Sequence, residues 1–205
     1  LDTEAGRRLW QEARIPGARY AHLDQDLSSP IGPRTGRHPL PGTEAFAGFL
    51  SRIAWSEGRL IVAYDDGPGA FAARLWWLMR LHGQPAALLD GGFSAWNGAG
   101  LDVESGPAQV EPTPVPAIEP DMGKVVETSE LESSLADVLL LDARTSDRFR
   151  GENEIMDTRA GHIPGAVSYP FGHNLELNGR FKPVDELRED LEDVLGGMPL
   201  GSVVH

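Results

Sequence analysis

The sequence predicts an α/β fold: two tandem domains of one type, with mainly parallel sheets flanked by helices, the second domain incomplete. Three observations carry this. Short, bounded apolar runs alternate with amphipathic stretches, the pattern of strand–helix units. One set of motifs occurs twice in the same order. A proline-rich stretch separates the two copies.

The duplication is specific. Leu1-Asp2 precedes a polar helical stretch and then Ile15-Pro16-Gly17-Ala18. Leu141-Asp142-Ala143-Arg144 precedes a similar stretch and then His162-Ile163-Pro164-Gly165-Ala166. An insertion around residues 151–157 accounts for the wider spacing in the second copy. The first domain is assigned to residues 1–106 and the second to 121–205. Between them, residues 107–120 hold Pro107, Pro112, Pro114, Pro116 and Pro120. Prolines fix φ and remove amide donors, so this segment is expected to be an extended linker.

In the first copy, Thr43 is expected to cap a helix with Phe46, Phe49, Leu50 and Ile53 on one face. Residues 60–64 and 86–89 read as buried strands. Between them, residues 71–82 form a helix with Leu75, Leu78, Met79 and Leu81 inward and Gly83 as its stop. Trp76 and Trp77 belong to the core of that helix. In the second copy, Ser129 and Glu132 suggest a capping box, and residues 138–141 a buried strand. Pro183 opens a helix with Val184, Leu187, Leu191 and Val194 along its inner stripe. Ser202-Val203-Val204-His205 matches the start of the strand that the first copy continues into Tyr64 and Asp65. A helix and at least one more strand are therefore expected to follow.

Composition narrows the function. The chain has 31 acidic and 18 basic residues, a net charge of −13. A nucleic-acid partner needs a basic footprint, and an anionic membrane surface needs the same, so neither is expected. No apolar run approaches the roughly 20 residues of a membrane span, and a soluble, cytoplasmic protein is expected. The cysteine count is zero, which excludes disulfides, thiolate metal sites and a cysteine nucleophile within these residues. The histidines lack metal-ligand spacing, and no metal or cofactor is expected.

The ordered motifs resemble the tandem rhodanese family, which includes the thiosulfate and 3-mercaptopyruvate sulfurtransferases. The resemblance rests on residues 15–18, 23–26, His38-Pro39-Leu40-Pro41, and Trp76-Trp77 running on to Leu89-Asp90-Gly91-Gly92. In the second half it rests on residues 141–149, 161–166 and 178–182. It implies a catalytically silent first domain and a second domain that carries a cysteine between a strand and a helix N-terminus. Inward amides and the helix dipole lower a thiol's pKa there, so the thiolate is populated. That thiolate takes sulfur from a small anionic donor as a persulfide and passes it to cyanide or a thiol. By this alignment the cysteine lies beyond His205, the 205 residues alone are inactive, and the active site forms between the domains. Asp65 falls at the matching place in the first copy, where it cannot form a persulfide.

Four residues are the site candidates. Arg144 and Arg148 lie four apart after a buried strand, so one helical turn aims both at one spot. Guanidinium groups suit a carboxylate, sulfonate or thiosulfate, and the resemblance makes these two the donor anchors. The competing reading is ion pairing with Asp142, Asp147 or Glu152. Asp24 and His38 correspond to an aspartate–histidine pair that polarises a serine or moves a proton in mercaptopyruvate enzymes. The competing reading is a histidine packed in a Pro- and Gly-rich loop. His162, matched by Arg14 in the first copy, reads as a structural donor, Asp142 as a turn residue, and Asp65-Asp66 as part of a turn. Two other functions stand beside sulfur transfer: a cysteine-free module that binds anions or partners, and a dual-specificity phosphatase, which the tandem layout disfavours.

Overall fold

The apolar runs of the first half form two short strands, β1 (Ile61–Ala63) and β2 (Ala86–Leu88), in the computed structural model, which describes residues 4–205. They pair in parallel, Ile61 with Ala86 and Ala63 with Leu88. Helices α1 (Ala5–Glu12), α2 (Thr43–Arg52), α3 (Ala70–Leu81) and α4 (Gly92–Gly98) accompany them. Helix α3 is the crossover between the strands, as a parallel pair requires. The Leu1-Asp2 motif lies outside the described residues.

The second half contains α5 (Thr128–Ser134), β3 (Leu139–Asp142), α6 (Ser146–Phe149), β4 (Val167–Ser168), α7 (Val184–Leu195) and β5 (Val203–Val204). Strand β3 lies between β4 and β5, and both pairings are parallel. Leu139 sits opposite Val203, and Leu140 opposite Val204. The chain divides into two compact units, with Lys124 ending the first and Val125 beginning the second.

The first unit holds a continuous apolar core. Phe46, Phe49 and Leu50 of α2 pack with Leu75, Leu78 and Met79 of α3, and with Leu27, Trp55 and Ala63. The i, i+3, i+4 spacing on both helices brings these residues to one face. Residues 107–121 form neither helix nor strand but run extended along this unit. Val115 and Ile118 pack against the core, the Thr113 amide donates to the Ser51 carbonyl, and the Asp121 amide donates to that of Leu81. In the second unit only Leu140 and Tyr169 are buried hydrophobics among the described residues.

Several local readings need correction. Thr43 is the first residue of α2, not its cap; Gly42 is the cap residue, and the Thr43 hydroxyl points to Glu119 at 3.4 Å. No capping box forms at Ser129 and Glu132, because α5 begins at Thr128 with Glu127 as cap residue and both lie inside the helix. Trp76 is 36% exposed, and of the tryptophan pair Trp77 packs on the core. On α7, Leu187 and Val194 are half-buried while Val184 and Leu191 are exposed, so the apolar stripe is only partly covered.

Leu78, like Met79, has no exposed surface. Leu78→Ala should destabilise the first unit by about 2–5 kcal/mol, through lost burial and the cavity left behind. Urea unfolding followed by tryptophan fluorescence measures this, and a loss well under ~1 kcal/mol would contradict the packing described.

Candidate active site

The loop after β1 is built around one carboxylate. Asp65 Oδ1 accepts the amides of Gly67 (2.9 Å) and Gly69 (3.0 Å). Asp65 Oδ2 accepts those of Phe71 and Ala72, both at 3.0 Å. Phe71 and Ala72 belong to the first turn of α3, whose amides have no intrahelical acceptor. The helix dipole favours negative charge at the same point. Gly69 takes a left-handed φ of +86°, which bends the loop so that its amides converge. The Asp65 carbonyl accepts the Phe93 amide at 3.0 Å, and a Cβ on Gly92 would lie 2.7 Å from that oxygen. A glycine is therefore required at Gly92. Residues 65–69 do turn the chain, as the sequence suggested, but Asp65 does more: it fills the anion cradle of its own loop.

Asp24 and His38 are brought together, with His38 Nε2 3.3 Å from Asp24 Oδ1. Two residues that sequence reasoning missed hold them there. His22 Nδ1 accepts the amides of Asp24 (3.1 Å) and Gln25 (3.3 Å), which fixes the turn carrying Asp24. Arg74 of α3 donates to the carbonyls of Leu27, His38 and Pro39 at 3.0–3.2 Å. Burial lowers the Arg74 pKa, because the surrounding protein solvates its charge less well than water. The signal for Arg74 was available: a lone cation in the apolar run Leu75-Trp76-Trp77-Leu78 must have carbonyl or carboxylate partners.

Arg144 and Arg148 are brought to a common carboxylate. Arg144 Nε and Nη2 bond Asp142, at 2.9 and 3.1 Å and at 2.6 Å, and Nη2 also bonds the Gly161 carbonyl at 2.7 Å. Arg148 grips Glu154 with Nε (3.0 Å) and Nη2 (2.9 and 3.1 Å), and Nη2 reaches Asp157 at 2.8 Å. Glu154 also lies 3.6 Å from Arg144 Nη1, an ion-pair distance without a hydrogen bond. Both arginines thus commit Nε and Nη2, and neither Nη1 makes a hydrogen bond among the described residues. The carboxylates are Asp142, Glu154 and Asp157, so of the partners named from sequence only Asp142 is used. Asp147 instead bonds the Arg148 amide and Asn153, while Glu152 pairs with Arg150.

Glu154, with a side chain only 3% exposed, is the centre of this cluster. The amide of Met156, then the amide of Asp157 and the Arg148 guanidinium, push its carboxyl down to about 2 against the opposing effect of burial. The Arg144 fork holds the Asp142 carboxyl below its usual range. No sequence signal singled out Glu154, which lies in the inserted segment. The Arg144 amide donates to Asp142 at 3.0 Å, so Asp142 also fixes the turn after β3. The His162 ring nitrogen Nδ1 lies 2.8 Å from the Phe149 carbonyl, and its ring stacks on Phe149 at 3.7 Å. Arg14 does comparable work in the first unit, donating to the carbonyls of Trp10 (3.2 Å) and Gly106 (2.6 Å).

Two consequences are measurable. Asp65→Ala leaves four converging donors without an acceptor and should cost the first unit about 2–3 kcal/mol in chemical denaturation. Little or no loss would remove the carboxylate from its assigned role. The second concerns acid. A carboxyl whose folded pKa lies below its ordinary 4.5 stabilises the fold above that value, and the contribution is lost as pH falls towards about 2. Glu154→Gln should therefore lower stability at neutral pH and flatten its dependence between these limits, as read by far-UV circular dichroism. An unchanged acid profile would mean that Glu154 is not held as described.

The chain can now be set beside known proteins. Residues 2–99 match the rhodanese-like domain family. The "Probable 3-mercaptopyruvate sulfurtransferase" of Pseudomonas aeruginosa is 42% identical over 208 residues, covering 99% of this chain and 73% of that protein. The 3-mercaptopyruvate sulfurtransferase of Homo sapiens is 36% identical over 190 residues, covering 89% of this chain and 62% of the human protein. Among solved structures, 3-mercaptopyruvate sulfurtransferase from Leishmania major superposes with a TM-score of 0.82 at 26% identity, covering 98% of this chain and 56% of that one. The chain thus spans between about half and three-quarters of the length of these relatives. With the parallel strand–helix units and the identity to the bacterial relative, this makes the chain a member of the rhodanese family, among the thiosulfate and 3-mercaptopyruvate sulfurtransferases.

Proposed function

We propose that this chain forms part of a sulfurtransferase that moves sulfane sulfur from thiosulfate or 3-mercaptopyruvate to a thiophilic acceptor such as cyanide or a thiol. In this reading the halves are tandem rhodanese-like domains, the first silent and the second catalytic, and the working cysteine follows β5. The observation that carries the reading is the register of β5 on β3, with Val204 opposite Leu140. Continued in parallel, the next residues run beside Asp142 and on towards Arg144 and Arg148. A loop there that wraps its amides inward, as the Asp65 loop does, would hold a thiolate where Asp65 holds a carboxylate.

The chemistry follows from charge. The thiolate attacks the outer sulfur of thiosulfate, an S–S bond forms to the cysteine, and sulfite leaves with the electron pair of the broken bond. With 3-mercaptopyruvate the C–S bond breaks instead, and pyruvate leaves as its enolate, which takes a proton. Cyanide then attacks the terminal sulfur of the persulfide, thiocyanate departs, and the thiolate is restored. Arg144 and Arg148 hold the sulfonate or carboxylate of the donor, Arg148 through its Nη1 and Arg144 through an Nη1 that turns to the donor from Glu154, 3.6 Å away. The carboxylates on the Nε–Nη2 edges hold the two guanidinium groups in place. Asp24 and His38 serve proton transfer, with Asp24 orienting the imidazole.

These roles separate in kinetics on the full-length protein. Arg148→Ala should raise KM and reduce kcat/KM for an anionic donor by about 10- to 100-fold, the loss of a charge-assisted hydrogen bond. His38→Ala should lower kcat more than it raises KM. Assays with thiosulfate and with 3-mercaptopyruvate identify the donor. A kcat/KM within about twofold of wild type for both donors in Arg148→Ala leaves the arginines as structural ion pairs only. Thiocyanate production by the cysteine-free 205 residues alone would overturn the persulfide mechanism. If the full-length protein also proves to lack a cysteine, the binding-module reading replaces this one.

A further inference from the structure

A separate cluster of hydrogen-bond donors lies in the first unit, between α1, the segment that follows it, and the proline-rich stretch. It surrounds a cavity of about 330 Å3 lined by Arg7, Trp10, Arg19, Tyr20, Asp26 and Arg52. Ile53, Val110 and Pro112 complete the wall as an apolar side. A volume of this size falls in the range of small-molecule sites.

The lining has three guanidinium groups and one carboxylate. Arg52 is consumed by its ion pair with Asp26. Arg7 lies over the Tyr20 ring at 4.9 Å, Arg19 is coupled electrostatically to Glu104, and neither arginine makes a hydrogen-bonded ion pair with a carboxylate among the described residues. Beside the cavity, the Trp10 indole Nε1 is buried with almost no accessible surface and has no acceptor among the described residues. A buried donor without a partner is costly, and native proteins rarely leave one without a reason. Tyr20 adds a hydroxyl, packed so closely on Gly6 that a Cβ there would lie 2.7 Å from the oxygen. Burial, the largest influence on Tyr20, raises its pKa and keeps that hydroxyl a donor at neutral pH.

The side-chain groups of the lining left uncommitted are therefore two guanidinium groups, each fully charged, and the Tyr20 hydroxyl, in a chain of net charge −13. The complement to such a set is an acceptor-rich anion. The aromatic faces and the apolar wall ask for more than a bare ion. We infer that this cavity binds a small organic oxyanion: a phosphate, sulfate or carboxylate group on a compact apolar or aromatic body. The anionic group lies between Arg7 and Arg19, and the body rests against Trp10, Val110 and Pro112. This site is independent of the sulfur-transfer reading, since it uses neither Asp24, His38 nor the second unit.

The test is a titration of the intact 205-residue chain with phenyl phosphate and, separately, with inorganic phosphate, followed by proton–nitrogen NMR of the indole groups. The Trp10 signal is identified by its loss in Trp10→Phe. Phenyl phosphate should shift it saturably at lower concentration than inorganic phosphate. The Arg7→Gln/Arg19→Gln variant should bind about tenfold or more weakly. Both arginines are exposed, so that variant should fold with an unchanged melting temperature. If it does not, the single variants Arg7→Lys and Arg19→Lys are used, each expected to retain part of the affinity. Absence of a saturable shift up to roughly 10 mM overturns the site. Unchanged affinity in the arginine variants does the same. Equal affinity for the two probes overturns the organic body.

Discussion

A carboxylate captured by backbone amides fixes the β1–α3 loop of the first unit. A strand that turns directly into a helix leaves the amides of the helix's first turn unpaired, and the macrodipole concentrates positive potential there. Asp65 resolves this within the chain by placing both carboxylate oxygens among four amides. Its carbonyl is used as well, by the Phe93 amide at the start of α4. With the beginning of α3 pinned, Arg74 one turn further on has a defined position. Its guanidinium then gathers the Leu27, His38 and Pro39 carbonyls. The placement of His38 beside Asp24 thus descends from the loop at Asp65 through the rigid helix α3.

The second unit repeats the device with different weights. Glu154 takes two amides and the fork of Arg148, and Asp142 takes one amide and the fork of Arg144. Around this cluster the apolar core is thin, with Leu140 and Tyr169 as its buried members among the described residues. The first unit rests instead on a continuous set of aliphatic and aromatic side chains across α2 and α3. Apolar burial is non-directional and sums over area. Charged hydrogen bonds are directional and depend on protonation. The two halves therefore differ in kind: one is sensitive to changes of side-chain volume, the other to changes of charge and pH.

Much of this was legible in the sequence, for identifiable reasons. The runs at 60–64 and 86–89 became β1 and β2 because short apolar stretches between turn signals have few other solutions, but they are not buried throughout: Leu60 and Val62 are exposed. The faces of α2 and α3 followed from their spacing. Asp24 and His38 lie together, while Arg144 and Arg148 meet carboxylates, Asp142 being the one that the ion-pair reading of the sequence names. Helix starts were less legible. Thr43 and Ser129 have the right chemistry for caps, but the chain entered each helix one or two residues earlier and left them inside. Glu154 was invisible because it reaches Arg148 from an irregular insertion with no periodicity to read. The same holds for His22, whose partners are the amides of its own turn.

Electrostatics decides how such a chain can deal with anions. Its net charge of −13 sets up a field that repels them, so long-range steering works against binding. Attraction has to come from single guanidinium groups at contact distance, where a directed hydrogen bond outweighs a screened field. Pairing those groups with carboxylates looks counterproductive, since Arg144 and Arg148 meet three of them. Yet an unpaired arginine near the surface samples many rotamers, and ordering it costs entropy at the moment of binding. Here Asp142 and Glu154 meet that cost on folding, because each grips the Nε–Nη2 edge of one arginine, while Arg144 Nη1 lies 3.6 Å from Glu154. The arrangement gives up bulk attraction and gains orientation. In the proposed sulfur-transfer role, that orientation lets shape as well as charge select the donor.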